Sequence, residues 1–194
     1  LHGDHDFYRA VVHSARHHDT AALVLAGDLL GHAGGHATEE DAQRADAAEI
    51  AQILARCSRP IFYIMGNDDW VELGIDRPEF QSIHTRRVIL GRYNLVGYQN
   101  TLPFMGGVNE RPEDEIARDL RALAPMVDER TILVTHSPAY GVLDQTRMGS
   151  AGSRSIADLI EWRKPRLHIH GHIHECFGRS GIHFNVAAGR VPRA

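Results

Sequence analysis

Four short strand-forming runs constrain this chain more than any other feature. They are residues 22–26 (ALVLA), 61–65 (IFYIM), 131–135 (TILVT) and 166–170 (RLHIH). Each is too short for a helix, and the apolar, β-branched content of the first three suits a buried strand. Each is followed at once by a potential metal ligand: Gly27-Asp28, then Gly66-Asn67-Asp68-Asp69, then His136-Ser137-Pro138, then Gly171-His172-Ile173-His174. In open α/β sheets, functional groups gather where strands end at their carboxyl side. In three of the four a glycine precedes the ligand, and glycine permits both a sharp turn and a close approach. A Gly-Asp turn or one histidine is weak evidence alone; all four strand ends together are not.

Between these runs the pattern is helical. Residues 6–18 carry Phe7, Ala10, Val11 and Ala15 at helical spacing, with Asp6 the expected N-cap. Thr38 opens an Ala-rich helix to about Cys57, with Glu39, Glu40 and Asp41 in its first turn, where negative charge suits the helix dipole. Residues 88–90, 93–98 and 102–105 read as short strands, 113–124 and 155–162 as helices, and 182–186 as a last strand. This βα alternation followed by short strands predicts a mixed α/β domain. With 194 residues, the expectation is one domain spanning 1–194.

Composition removes several classes of function. Lys+Arg number 21 against 25 Asp+Glu, a net charge of −4, so no basic excess points to nucleic acid. No apolar run approaches the ~18–20 residues of a membrane span, so no membrane partner is expected. Two cysteines, Cys57 and Cys176, form neither a disulfide scaffold nor a CxxC pair, which suits a reducing, cytoplasmic setting. Histidine is the outlier, 14 residues of 194.

The donors at the strand ends are Asp, Asn and His, without thiolate. That set suits Mn, Fe, Zn or Ni rather than copper(I) or a structural Cys zinc site. Six such groups exceed the needs of one tetrahedral ion and suit two divalent ions about 3.5–4 Å apart. Asp28 is the natural bridge, since a carboxylate offers one oxygen to each ion. Two adjacent cations repel, so an anionic substrate such as a phosphate ester completes the charge balance.

Leu1-His2-Gly3, Gly27-Asp28-Leu29-Leu30-Gly31, Gly66-Asn67-Asp68-Asp69, Thr135-His136 and Gly171-His172-Ile173-His174 together resemble the motif series of the calcineurin-like metallophosphoesterase superfamily. That series reads D-x-H, G-D-x-x-G, G-N-H-D/E, G/T-H and G-H-x-H. The runs THSPAYGVLD and GHIHECFG look most like its small phosphodiesterase-like members, including the brain metallophosphoesterase-domain proteins. The resemblance implies a four-layer α/β/β/α sandwich of two mixed β-sheets flanked by helices. It implies one metal held by His2, Asp28 and His174, and a second by Asp28, Asn67, His136 and His172, with manganese favoured. It also implies attack on phosphorus by a hydroxide bridging the metals. The alternation in Gly-His-Ile-His sets its two histidines on one side of an extended segment.

The chain departs from that pattern twice. The D-x-H aspartate would precede Leu1, as would the first strand, and both are expected upstream. The histidine of G-N-H-D/E is replaced by Asp68. In the family that histidine is proposed to steady the phosphoryl group or protonate the leaving group. An anionic aspartate repels phosphate unless its pKa is raised or it turns away. Weaker catalysis toward poor leaving groups is therefore expected, with better activity on activated esters and diesters. His32 and His36, in the loop GHAGGHA after Asp28, are the candidates to fill the gap, so the candidate catalytic residues are Asp68, His32 and His36.

Other polar residues have blander readings. Asp69 caps or braces its turn. His168 and His170 are core groups or groups that orient ligands. Arg111, Arg147 and Arg190 lie in loops from which they could grip phosphate oxygens. Asn185 and Gly189 are structural, and His5, His13, His17, His18, His84 and His183 serve the surface or packing. The leading function is hydrolysis of a small phosphorylated substrate, most of all a phosphodiester. Alternatives are a phosphomonoesterase acting on nucleotides or phosphoproteins, and a weakly catalytic scaffold. A scaffold has no need to keep Asp28, Asn67, His136, His172 and His174 together. Oligomeric state, native metal and natural substrate carry no readable signal.

Overall fold

The computed structural model describes residues 2–32, 35 and 38–187. Helix α1 (His5–His17) opens at Asp4, whose side chain accepts a hydrogen bond from the Phe7 N–H. Asp4 takes the capping place expected of Asp6 because its backbone is extended, whereas Asp6 already lies in the first turn. Strand β1 (Leu23–Ala26) follows, then α2 (Glu39–Leu54), capped by the Thr38 side chain on the Asp41 N–H. Helix α2 stops at Leu54 rather than Cys57, because the Arg56 and Cys57 N–H groups turn back onto Ile53 and Leu54 in a tighter turn.

Next come β2 (Ile61–Ile64), β3 (Phe80–Ser82), β4 (Arg87–Leu90), β5 (Tyr93–Tyr98), α3 (Glu113–Leu123) and β6 (Thr131–Thr135). A small hairpin of β7 (Gln145–Thr146) and β8 (Gly149–Ser150) precedes α4 (Arg154–Arg163). Strands β9 (Leu167–His170), β10 (Gly178–Ser180) and β11 (His183–Asn185) close the described chain. No helix among the described residues is long and apolar enough to cross a membrane.

The strands form two main sheets. The smaller has the order β1-β2-β3 and is parallel throughout; the larger has the order β10-β11-β9-β6-β5-β4 and is mixed. Their side chains define four layers. On the outer face of the small sheet, Leu25, Ile61 and Tyr63 pack with Tyr8 and Val12 of α1 and Ile50, Ile53 and Leu54 of α2. Between the sheets, Ala26, Phe62 and Ile64 meet Leu95 and Val134. On the far face, Val96 and Leu133 pack under Ile116, Leu120 and Leu123 of α3 and Ile156 and Leu159 of α4. Ile61 and Tyr63 point one way from β2, Phe62 and Ile64 the other, so the strand is apolar along its whole length because both faces are covered.

Register places the site. In β1 and β2, Ala26 lies opposite Ile64, so Asp28 and Asn67 leave the sheet at one level. In β6 and β9, Thr135 lies opposite His170, which brings His136 and His172 out together.

Residues 102–105 form no strand. Pro103 has no N–H to offer a ladder, and the N–H groups of Phe104, Met105 and Gly106 are taken by the Glu110 carboxylate. The strands that sequence reading missed, β3 (FQS), β7 (QT), β8 (GS) and β10 (GRS), are two or three residues long and largely polar.

Ile64 is fully buried between the sheets, while Ile89 is 67% exposed. Ile64→Ala is expected to lower stability by about 2–5 kcal/mol, and Ile89→Ala by no more than about 0.5 kcal/mol. Denaturant midpoints of the two variants measure the difference, and equal shifts would contradict the sandwich.

Candidate metal centre

Asp28 is the centre of the constellation. It leaves β1 through Gly27 with a left-handed backbone, φ 50°, and is only 6% exposed. Its two oxygens face different partners. Oδ1 lies 3.1 Å from His136 Nε2 and accepts the Asp68 N–H at 3.3 Å; Oδ2 lies 3.6 Å from His2 Nε2. Burial pushes the Asp28 carboxyl up, but the imidazoles of His136, His2 and His172 override this and hold it well below the usual carboxylate range.

The fully buried His136 is oriented from behind. Its Nδ1 lies 2.8 Å from the Ala26 carbonyl, which can only accept, so Nδ1 carries the proton and donates. Nε2 then faces Asp28 Oδ1 and, at 3.1 Å, Asn67 Oδ1. Three lone-pair-bearing atoms converge there, an arrangement that repels itself unless a cation sits among them. In the protein alone a proton plays that part. Burial pushes the His136 imidazole down, but Asp28 wins and raises it. The Asn67 amide is turned by Glu110: its Nδ2 donates toward Glu110 Oε1 at 3.4 Å, leaving Oδ1 for the cluster.

His172 follows Gly171 with φ 67°, and its ring centroid lies 5.1 Å from that of His136. Burial, then His136, lowers its imidazole to about 4, so it stands as a neutral donor. The donor atoms of Asp28, His136 and His172 lie within 4.8 Å of one another, as do those of His2, Asp28 and His174. His2 Nε2 and His174 Nε2 are 3.1 Å apart. His2 is held by backbone pairing, its N–H donating to the Asp28 carbonyl at 2.7 Å. Two groups that could each hold a cation thus share Asp28.

Two glycines exist for this approach. A Cβ at Gly66 would fall 2.1 Å from Asp28 Oδ1, and one at Gly27 would fall 2.3 Å from His136 Nδ1. Asp69 braces the same turns. It accepts the Leu29 and Leu30 N–H groups on Oδ1, both at 2.8 Å, and the Gly66 N–H on Oδ2 at 2.7 Å. Burial and the neighbouring Asp28 push its carboxyl up to about 6.

Asp68 turns toward His32. Its Oδ2 lies 2.6 Å from His32 Nε2 and 3.7 Å from His2 Nδ1, and the other ring nitrogen of His32 meets Glu39. The hydrogen bond to Asp68 leads in raising the His32 imidazole above its ordinary value. Burial opposes ionisation of Asp68, yet the bonds from His2 and His32 bring its carboxyl below the usual range. His36, the companion candidate, lies outside the described residues, as do Gly189 and Arg190.

The remaining candidates stand apart. His168 is fully buried on the outer face of the large sheet, bonded through Nε2 to Thr135 Oγ1 at 2.8 Å and through Nδ1 to His183 at 3.0 Å. His170 packs beside it. Arg111 reaches Glu115, and Arg147 sits in the turn between β7 and β8. Asn185 donates to the Ile173 carbonyl at 2.7 Å and so steadies the turn between His172 and His174. Sequence reasoning missed Glu110 and Phe104, which reach the site from a loop without a motif. The one available signal was the turn-rich run Gly106-Gly107-Val108-Asn109 just before an acid.

A model of the calcineurin-like phosphoesterases matches residues 1–176. The chain belongs to that family. The solved structure of TT1561 from Thermus thermophilus shares the fold, with a TM-score of 0.68 at 20% identity over 94% of this chain and 83% of that one. A second solved structure superposes at a TM-score of 0.72, with 14% identity over 94% of this chain and 86% of its own. A UPF0046 protein of Caenorhabditis elegans is 37% identical over 51 residues, 26% of this chain and 18% of that relative's length. Calcineurin-like phosphoesterases bind divalent metals, and the two His/Asp groups sharing Asp28 are of the type that could hold them.

Gly66→Ala drives a methyl group into the Asp28 carboxylate. The variant is expected to bind a divalent cation at least about tenfold more weakly than wild type, a loss of the size that displaced ligand-orienting groups produce. Calorimetric titration of both proteins with Mn²⁺ measures it.

Proposed function

We propose that this phosphoesterase hydrolyses small phosphate esters, phosphodiesters ahead of monoesters, with two divalent cations, manganese favoured. The observation that carries this reading is the division of Asp28, one oxygen toward His136 and the other toward His2. One cation would be held by His2, Asp28 and His174, the other by Asp28, Asn67, His136 and His172. The convergence of His136 Nε2, Asp28 Oδ1 and Asn67 Oδ1 supports the fit, because a metal cation can take the place that a proton holds among them. When bound, such a pair supplies Lewis-acid stabilisation of phosphoryl charge and acidifies the attacking water.

The protein's own residues do the rest. The Ala26 carbonyl and Glu110 aim His136 and Asn67, and Asp69 keeps the Asp28 turn from opening. Proton delivery to the leaving oxygen falls to His32 and Asp68. As the P–O ester bond breaks, a proton moves from the His32 imidazolium Nε2 to the Asp68 carboxylate, 2.6 Å away, and on to the leaving oxygen, leaving Asp68 anionic and His32 neutral. Glu39, on the other ring nitrogen, favours the return of the imidazolium. This pair takes the place of the histidine absent from the Gly66-Asn67-Asp68-Asp69 motif. His32, Asp68 and Glu39 together carry a net charge of −1 when the imidazole is protonated. That field opposes a dianionic monoester more than a monoanionic diester.

Two measurements test the proposal. Hydrolysis of bis(p-nitrophenyl) phosphate with added Mn²⁺ should fall by more than about 100-fold in Asp28→Asn, beyond the range seen when only an outer partner of a ligand is lost. No turnover by wild type with any divalent ion would refute the enzyme reading. His32 is raised, so the donor is charged below that pKa and empties as pH rises through it. Turnover of esters with poor leaving groups should therefore decline on the alkaline side. His32→Gln should remove that limb and cost about 10²-fold or more on such esters, but little on p-nitrophenyl esters. An unchanged pH profile in His32→Gln would overturn the proton path.

A further inference from the structure

A segment beside the centre has no part in holding or activating anything described so far. Residues 103–108 present three apolar side chains to solvent: Phe104 is 55% exposed, Met105 83% and Val108 44%. The loop is nonetheless firmly fixed. Glu110 accepts the N–H groups of Phe104, Met105 and Gly106 at 2.8, 2.9 and 3.0 Å. Asn109 Nδ2 donates to the Gly66 carbonyl at 2.8 Å. Gly107 lies so close to the Asn67 backbone that a Cβ there would fall 2.0 Å from its carbonyl oxygen. The loop is thus clamped onto the turn that bears Asn67. The Phe104 and His172 rings form a T-shaped pair, with centroids 5.4 Å apart.

An apolar surface pinned beside a polar, cation-binding cluster is the usual arrangement of a small-molecule site, where a few polar groups fix one end of a ligand and an apolar wall takes the other. Burial does not explain the exposure, since these side chains stay in water while the loop is held through its backbone. Crossing the His172 ring at 81° and still 55% exposed, the Phe104 ring keeps surface free for stacking.

We infer that Phe104, with Met105 beside it, forms the specificity wall of the centre and selects phosphate esters that carry a planar aromatic ring. The inference rests on the phosphoesterase reading and names the substrate class it leaves open. Glu110 is the positioning residue, because one carboxylate sets both the loop and the Asn67 amide.

The test is calorimetric binding to manganese-loaded protein, with phenylphosphonate and methylphosphonate as probes of equal charge that cannot be hydrolysed. Wild type should prefer phenylphosphonate by at least about fivefold, the scale of one aromatic pair. Phe104→Ala should bring the ratio within about twofold, and Phe104→Tyr should keep it. A second arm compares adenosine 5′-monophosphate with ribose 5-phosphate. A preference lost there as well marks a nucleobase as the ring, and a loss confined to the phosphonates marks an aryl ester. An unchanged ratio in Phe104→Ala in both arms overturns the wall while leaving the phosphoesterase reading intact. Failure of wild type to bind any of the four probes overturns both.

Discussion

The structure depends on one buried carboxylate. Removing an ion of this size from water costs several kcal/mol even after relaxation, and Asp28 is 6% exposed. Three imidazoles keep it charged against that penalty. The consequences spread outward. The chain must turn sharply to bring the carboxylate in, so Asp28, His2 and His172 all take left-handed backbones that cost about 1–3 kcal/mol each unless the surroundings enforce them. Gly27 and Gly66 leave the space in which those turns close. Asp69, a second buried carboxylate near the first, is repelled by it and is kept in place by three backbone N–H groups.

That carboxylate also ties the sandwich together. Asp28 extends the small sheet, while His136 and His172 extend the large one, so the pair Asp28–His136 spans the two layers. The bond from His136 Nδ1 to the Ala26 carbonyl spans them again. Beneath these contacts lies the apolar layer of Ala26, Phe62, Ile64, Leu95 and Val134. That packing holds the strand ends at the spacing that brings the Asp28, His136 and His172 donors within 4.8 Å of one another. Site and core are therefore one mechanical unit, and a cavity in the layer would be felt as a displaced donor.

Much of this was legible in the sequence, because the same residues signal strand and site. A five-residue apolar run, a glycine and a polar residue state where a buried strand stops, and β1 and β2 appear where those runs stand; β6 does the same with His136 following directly. What failed is instructive. Residues 102–105 have the composition of a strand, but Pro103 and the distant carboxylate of Glu110 settle them as a loop. Strands such as Phe80–Ser82 exist only because β2 offers an edge, a tertiary fact without local signature. Glu110 acts through Asn67, forty-three positions away, and nothing in the linear pattern joins them.

Histidine content is the clearest case of a number that position must interpret. His168, His170 and His183 form a patch on the outer face of the large sheet, with no carboxylate bonded to any of their ring nitrogens among the described residues. Burial therefore decides: His168 is pushed far down, His170 to about 4, and His183 downward, so all three serve as neutral packing groups. His32 lies between Asp68 and Glu39, and His136 lies against Asp28; both are raised. The same side chain is thus a neutral packing ring on one face and a charged group or candidate metal donor beyond the strand ends. The difference is set by which carboxylates the turns deliver, and the exchange of histidine for aspartate at position 68 follows that rule. Asp68 brings a negative charge to the turn, and His32, reaching across from the Asp28 loop, meets it at 2.6 Å and is raised by it.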